Sequence, residues 1–451
     1  VVQGGGQGVT VHLERTHQII EGFGINDTWA WENLPSRLFD TTDADGLGLS
    51  ILRIGMGDNG QDYSSNIAGD IKTAKAAGAK IIGTCWSPPA SCKSNNGTND
   101  SGHLLSSCYE SWSDTIVSWA KGHGLYAMSL QTEPDYTSCL NEPCDGYYPT
   151  TLFTASEMVA FVKVAGPKLQ AAGIKVIAPE PSEWNHLWSN ISTAPAGNSS
   201  SDPLQCGCFG MTIDDATAAK CSSTCTSGGG YDYGHWLAKD ADAWKAFDII
   251  GVHEYDSQTG YAWPSDVAGG KRDKEIWQTE VSGVKWWPEQ GPSGDIANGV
   301  AVAGWIHSAL VTGEASAWLW WWYRAYATDD NEGLLLESGT VTKRYYTLGN
   351  YSKFVRPGYV MVDVVGNGNA NLLLSAFKGS DGTVVVVAIN KSTATFTVPI
   401  TIAGGTVVPT SMTPNVTSSS ESLKAGPSIS VNGGTFLATL PGTTVTTFVG
   451  R

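Results

Sequence analysis

Glu133 in SLQTEPDY and Glu280 in EIWQTEVSG each stand at the end of a short apolar run, far apart in the chain. A single carboxylate in such a place ordinarily serves as a salt-bridge partner or a helix cap. Two that face each other across a pocket can divide the work of breaking an acetal. One stays protonated and donates to the leaving oxygen, while the other is ionised and meets an oxocarbenium-like carbon. Glycosidic cleavage is the chemistry that such a pair suits.

The aromatic content points the same way. The chain holds 18 Trp and 16 Tyr. Sugar rings present C–H groups whose slight positive charge suits the negative face of an aromatic ring. At or just past apolar runs lie Trp29, Trp31, Trp86, Tyr255, Trp286, Trp287 and the run Trp320 to Tyr323. Trp86, Tyr255, Trp286 and Trp322 are the candidate cleft residues, with core packing as the alternative for each. His253, in GVHEY, is placed to bond a sugar hydroxyl or to hold Glu280. A purely structural histidine is the other reading.

These residues need elements to position them. Runs rich in β-branched residues at 18–24, 49–55, 79–86, 125–132, 174–179, 247–255, 275–280 and 315–322 read as strands. Between them, 66–77, 109–122, 155–172 and 296–312 carry helical patterns. Eight alternating units predict an α/β fold whose parallel sheet closes as a (β/α)8 barrel. An open doubly wound sheet is the nearest competitor, but no Gly-rich phosphate loop follows the first strand. Barrel enzymes gather reactive groups at the C-terminal strand ends, and the ends of strands four and seven face each other over the mouth. Glu133 and Glu280 are expected there.

From about Pro357 the composition changes. Residues 357–451 are β-rich runs separated by Gly, Asn, Ser and Pro, which predict an antiparallel β-sandwich. Residues 1–16, with VTVHLE, supply one more strand of it, leaving 17–356 for the barrel. The C-terminal segment has no Trp and a single Tyr, so it reads as a structural support.

Composition excludes several classes. Lys and Arg total 27 against 43 Asp and Glu, a net charge of −16, which argues against a nucleic-acid partner. Hydrophobic residues make up 41% and mean hydropathy is −0.12, enough for a sizeable core. No apolar run approaches the ~20 residues of a membrane helix. Nine Cys lie between Cys85 and Cys225; 92 with 108, 139 with 144 and the group 206–225 read as loop staples, with at least one left unpaired. No His cluster joins them at zinc spacing. Disulfides and eight Asn-X-Ser/Thr sequons, Asn96, Asn190, Asn198 and Asn415 among them, fit a secreted glycoprotein. The opening VVQGG has neither an initiator Met nor an apolar leader, so a signal peptide is expected to have been removed.

Several segments together resemble glycoside hydrolase family 30, retaining (β/α)8 enzymes with an attached β-sandwich. They are EGFG at 21–24, WSPPA at 86–90, SLQTEPDY, HEY, IWQTEVS and, above all, KRYYTLGNYSKFVRPGYVMVDV at 343–364. The resemblance spans nearly the whole chain and implies Glu133 as general acid/base and Glu280 as nucleophile. One position departs from the pattern. The family usually carries Asn before the acid/base, to bind the sugar 2-hydroxyl, and here Thr132 offers a shorter hydroxyl. WWYRAYATDD at 321–330 resembles glucuronoxylan-cleaving members, in which an Arg after strand eight pairs with a glucuronic acid branch. Arg324 is the candidate for that role, with an ion pair to Asp329 or Asp330 as the alternative. The fungal xylanase branch is the most similar. There the loop after strand three can shut one end of the cleft and favour release of short products, and here that stretch is 90–108.

The expectation is therefore a secreted, retaining hydrolase of β-1,4-xylan or glucuronoxylan, endo-acting or xylobiose-releasing. It works as a monomer on plant cell-wall polysaccharide without metal or organic cofactor. A β-1,6-glucanase or galactanase of the same mechanism is the first alternative, and a non-catalytic carbohydrate-binding barrel the second.

Overall fold

Eight short strands build the barrel: Gly22–Asn26, Ile51–Met56, Lys80–Cys85, Ala127–Ser129, Lys175–Pro179, Ile249–His253, Glu275–Glu280 and Ala315–Trp320. Nearly every residue in them is buried, as parallel strands covered on both faces require. Neighbours pair in chain order, and the eighth closes on the first with Ala317 opposite Gly22 and Trp320 opposite Ile25. The computed structural model describes residues 2–3, 8–99, 102–136, 149–188, 232–255, 261–265, 267, 273–283, 294–326, 331–366, 369–405 and 408–451.

The barrel interior is a packed layer. Ile51, Ile82, Ala127, Ile177, Ile249, Trp277, Ala317 and Leu319 form one buried cluster drawn from strands two to eight. Tyr126 stacks on Trp277 beneath it, with ring centroids 6.1 Å apart, and Lys80 lies over Tyr126 while pairing with Glu21. The N-terminal mouth is thereby plugged, so open space for a ligand is left at the other end.

Helices Ile67–Ala76, Tyr109–His123, Ala155–Ala171 and Ile296–Val311 match the amphipathic patterns closely. The third begins with a capping box, the Thr154 side chain accepting from Glu157 N–H while Glu157 reaches back to Thr154 N–H.

Three strand expectations differ from what is observed, each for a local reason. Strand four pairs only over Ala127–Ser129, because the chain then leaves the ladder to reach strands three and five with single bonds, Thr132 N–H to Cys85 and Leu130 N–H to Ile177. Strand eight stops at Trp320, and Trp322–Arg324 pairs instead with Gly333–Leu335 as a small separate sheet. Strand one starts at Gly22 because the preceding strand, Val9–Ile19, belongs to the side domain up to Ile19, opposite Val360.

In the side domain, Val9–Ile19 runs antiparallel to Val360–Gly366 and parallel to Thr395–Ala403, within a sheet of eleven strands. Strand Val384–Asn390 is buried on both faces, which its period of two turns into a division of labour. Val384, Val386 and Ala388 pack in the domain's own core, whereas Val385, Val387 and Ile389 join the main cluster of the barrel. The helix Lys343–Ser352 fastens the join, Asn350 donating to the Asn415 carbonyl and to Thr447 Oγ1. Of the sequons, Asn415 is buried, with its amide donating to the Thr447 carbonyl. Asn190 and Asn198 lie outside the described residues, while Asn96 sits exposed on a loop.

Of the expected staples, Cys92–Cys108 is formed, closing a sequence separation of 16 that constrains the unfolded chain by about 3 kcal/mol. Cys85 is a buried free thiol. The other six cysteines lie outside the described residues.

Candidate active site

Arg53 occupies the middle of strand two, ILRIGM, in which every residue is buried. A guanidinium without solvent must be paired, and its partners define the site. Its Nη1 donates to Glu280 Oε2 at 2.7 Å, and its Nη2 donates to Thr132 Oγ1 at 3.0 Å and lies 3.3 Å from Glu180 Oε1. Its guanidinium carbon sits 5.4 Å from the centroid of Trp86, a cation–π contact. Gly55, two residues on, permits this stacking, since a Cβ there would stand 2.9 Å from the Trp86 ring.

Glu280 is the last residue of strand seven, and Tyr255 donates its hydroxyl to Glu280 Oε1 at 3.1 Å. Glu133 lies on the turn after strand four with φ +45°, a conformation rarely adopted by a residue with a Cβ and often kept at functional sites. Its N–H donates to the carbonyl of Glu180, itself at φ +65° just after strand five. His253 ends strand six, and its Nδ1 lies 3.1 Å from Glu133 Oε1 and 3.8 Å from Glu280 Oε1. One oxygen from each glutamate and one ring nitrogen of His253 all lie within 4.8 Å of one another.

Charge is distributed unevenly over this cluster. Burial raises the Glu133 pKa and the neighbouring Glu280 adds to it, although the hydrogen bond with His253 works against both. Burial alone would strip the proton from His253, but Glu280, the hydrogen bond with Glu133 and the Glu180 carboxylate 3.8 Å away hold its pKa up at about 10. Glu180 is fully buried and would be pushed up too, yet Arg53 and His253 hold it down at about 2. The Tyr255 hydroxyl is raised well above its ordinary value, by burial and then by Glu280 and Glu133. At neutral pH the arrangement is two cations, Arg53 and His253, among carboxylates, with Glu133 the one driven towards its neutral form. It suits proton transfer beside an ionised carboxylate.

The structure brings Glu133, Glu280, His253, Tyr255 and Thr132 into this one cluster, around Arg53. Thr132 is 2% exposed and its hydroxyl receives Arg53, so it lines the floor. Trp86 does not offer the open face expected of it: it is 1% exposed, packed against Trp29, Tyr63 and Trp321, and backs Arg53 from below. Trp322 and Arg324 stand further out. Trp322 stacks on Trp321 at 5.2 Å and donates to the Thr28 carbonyl. Arg324 donates from Nε and Nη2 to the Glu337 carbonyl and from Nη1 to Glu32 Oε2 at 3.1 Å, lying over Trp31 at 4.7 Å. Trp286, Asp329 and Asp330 lie outside the described residues. On the rim, the loop after strand three is stapled by Cys92–Cys108 and tied down by Lys93, which bridges to Leu104 and donates to the Thr150 carbonyl.

Two members of the cluster, Arg53 and Glu180, were not among the residues singled out from sequence. A charged residue inside an otherwise apolar strand was the available signal for Arg53, since burial would demand a counter-ion. Glu180, in VIAPEP, directly follows strand five, much as Glu133 follows strand four and Glu280 ends strand seven. A supporting group completes the picture: Asp135 accepts from Ser182 N–H and Oγ and bonds His186 Nδ1 at 2.7 Å, tying the turn of Glu133 to the segment after strand five.

Comparison with known proteins bears on the same architecture. Residues 360–448 match the family described as glycosyl hydrolase family 30 beta sandwich domain. The chain is 30% identical over 464 residues to glucuronoxylanase XynC of Bacillus subtilis strain 168, covering 98% of this chain and 91% of that protein. Among solved structures it is similar to a GH30 endoxylanase from Clostridium papyrosolvens C71, with TM-score 0.72, 28% identity and coverage of 99% and 100% of the two chains. It is similar also to the subfamily 8 xylanase Xyn30A from Clostridium acetobutylicum, with TM-score 0.75, 27% identity and coverage of 98% and 99%. With the closed eight-stranded barrel, the β-rich side domain and a relative aligned over almost its full length, the chain belongs to glycoside hydrolase family 30.

Proposed function

We propose that this chain is a xylan-cleaving glycoside hydrolase that acts by double displacement with retention. Glu133 serves as acid/base and Glu280 as nucleophile. The observation that carries the proposal is the approach of the two carboxylates, one oxygen of each within 4.8 Å with His253 between them. Retaining enzymes hold their pair at ~5–5.5 Å, whereas inverting ones need ~6.5–9.5 Å to seat a water. In the first step Glu133 gives its proton to the departing xylosyl oxygen as Glu280 attacks the anomeric carbon. In the second, Glu133 takes a proton from water and the ester to Glu280 is broken. Arg53 and Tyr255 bind the carboxylate of Glu280 throughout, which orients it and stabilises it as leaving group in the second step.

Xylan as substrate is supported by the relatives named above, which are xylanases or a glucuronoxylanase. Export is supported by the Cys92–Cys108 disulfide, which needs an oxidising compartment. The test is product analysis on xylan, glucuronoxylan, β-1,6-glucan and β-1,6-galactan, with the anomer followed by proton NMR from the first minutes. β-configured xylo-oligosaccharides are expected, and their lengths separate endo cleavage from xylobiose release. First-formed α-anomers, or products only from a 1,6-linked glycan, would overturn the reading.

Acid branches are a separate matter. Every N–H face of Arg324 that the structure engages is taken by Glu32 or Glu337, so its charge is already answered within the chain. We infer that a glucuronic acid branch is tolerated but not required. Replacing Glu32 with Gln frees the guanidinium for a substrate carboxylate. The ratio of kcat/KM on glucuronoxylan to that on unbranched xylan should then rise about tenfold, the worth of one charge-assisted contact. An unchanged ratio would remove Arg324 from substrate recognition.

A further inference from the structure

We propose that Glu180 is a positioning residue, whose buried carboxylate is the counter-charge that keeps Arg53 and His253 as cations facing Glu280 and Glu133. The proposal rests on the reading of those two glutamates as the catalytic pair. Glu180 lies at 0% exposure, as do Arg53 and His253. Its Oε1 is 3.3 Å from Arg53 Nη2 and 3.8 Å from His253 Nε2, and its Oε2 accepts from Thr84 Oγ1 at 2.9 Å. Its carboxylate is therefore behind the reacting atoms and acts on them through its two cationic neighbours.

Electroneutrality explains why it is needed. Arg53 and His253 bring two positive charges into a fully buried site, and Glu280 supplies one negative charge. Glu133 must be neutral at the start of each turnover and cannot supply the other. Without Glu180 one buried cation would be uncompensated, a costly state that a histidine relieves by losing its proton. Among the described residues, the groups facing His253 are Glu133 after strand four, Glu180 after strand five, Tyr255 two residues on, and Glu280 on strand seven. Around Glu180 are Arg53, Thr84, Ser129 and the thiol of Cys85, which burial and the glutamate itself keep protonated. Asp135, a further charge near Glu133, bonds His186. Backbone geometry adds a second link. Glu180 accepts from the N–H of Glu133 and donates its own N–H to the Gly251 carbonyl on strand six, so it spans the acid and the histidine strand.

The consequence is a specific sign. When Glu180 becomes Gln, His253 loses its charge together with the charge removed. His253, at 3.1 Å, is the closer of the two to Glu133, so Glu133 loses more stabilisation of its ionised form than it gains. The pKa of Glu133 rises, and with it the alkaline limb of the profile, because the acid must be protonated to work.

Two measurements test this on the full chain. Histidine-selective nitrogen-15 NMR should find His253 protonated on both nitrogens beyond about pH 8 in the wild type, against ~6.5 for an ordinary histidine. In Glu180→Gln it should titrate about three or more pH units lower, so that it is neutral where Glu133 titrates. In parallel, the alkaline limb of kcat/KM on an unactivated xylo-oligosaccharide should move to higher pH in the variant. A wild-type His253 that titrates near the ordinary value, the same titration in both proteins, or a limb that stays or moves down would each overturn the proposal. If Glu180→Gln does not fold, the wild-type titration and Glu180→Asp, which keeps the charge and should keep a cationic His253, decide it. Should the protein show no glycosidase activity at all, the catalytic reading falls while the NMR comparison still decides whether Glu180 sets the charge of His253.

Discussion

Glu280→Ala is expected to lose xylan turnover by a factor on the order of 10⁵, the scale seen when a covalent nucleophile is removed. What makes the experiment diagnostic is what remains. Arg53 Nη1 and the Tyr255 hydroxyl, now aimed at Glu280 from 2.7 and 3.1 Å, would line the space vacated by the side chain. Both donate, and one is a buried cation, so a small anion should bind there. Azide added with an aryl β-xyloside is expected to restore part of the activity and to yield the α-xylosyl azide, since attack comes from the face opposite the departing group. The alanine removes a buried anion from beside Arg53, so the melting temperature must be followed alongside. Full activity in the folded variant would withdraw the nucleophile assignment. Azide rescue yielding a β-azide would withdraw the single-displacement geometry at that face.

The second large effect belongs to Glu133. Gln keeps a carbonyl oxygen for the Nδ1–H of His253 but has no proton to give at the right acidity. A xylosyl leaving group is a poor one, and kcat/KM on xylan should fall by ~10³ to 10⁴, the upper part of what general acid catalysis supplies. A dinitrophenyl xyloside departs without help, so its kcat/KM should fall by less than about tenfold. The second step still needs a base, so kcat on that substrate should drop more than kcat/KM, with a burst of released phenol as the glycosyl-enzyme accumulates. Azide, which needs no deprotonation, should relieve the block. Equal losses on both substrates would mean that Glu133 holds the site together without donating a proton. The pH profile gives an independent reading. Burial raises the pKa of Glu133, so the alkaline limb of the wild type should lie above the ordinary carboxylate range, and this limb should vanish in the Gln variant.

These two effects hang on side chains that the sequence already singles out, and the contrast with the rest of the site is instructive. The barrel was legible because its strands are short, nearly continuous apolar runs alternating with helical patterns, a local signal that each segment carries in itself. Glu133 and Glu280 were legible because topology orders the strand ends around a ring, so that position in the chain alone places four and seven three strands apart on the same rim. The side domain was legible from composition, since its alternating strands need no distant partner to declare themselves.

Only the tertiary structure decided what those glutamates would become chemically. Which of the two is driven neutral depends on a desolvated histidine, an arginine from strand two and a glutamate from strand five, brought within 4 Å by closure of the barrel. Pairing between charges is a property of distance, and distances across a ring are invisible to a linear pattern. Burial worked the same way on Trp86, whose type suited a sugar but whose surroundings made it a backing for Arg53. Arg324 likewise met Glu32, nearly three hundred residues earlier in the chain, because strands one and eight are neighbours in the closed sheet. Residue types and their order along the chain set the architecture and the acids; solvent exclusion and closure around the ring set their protonation and their partners.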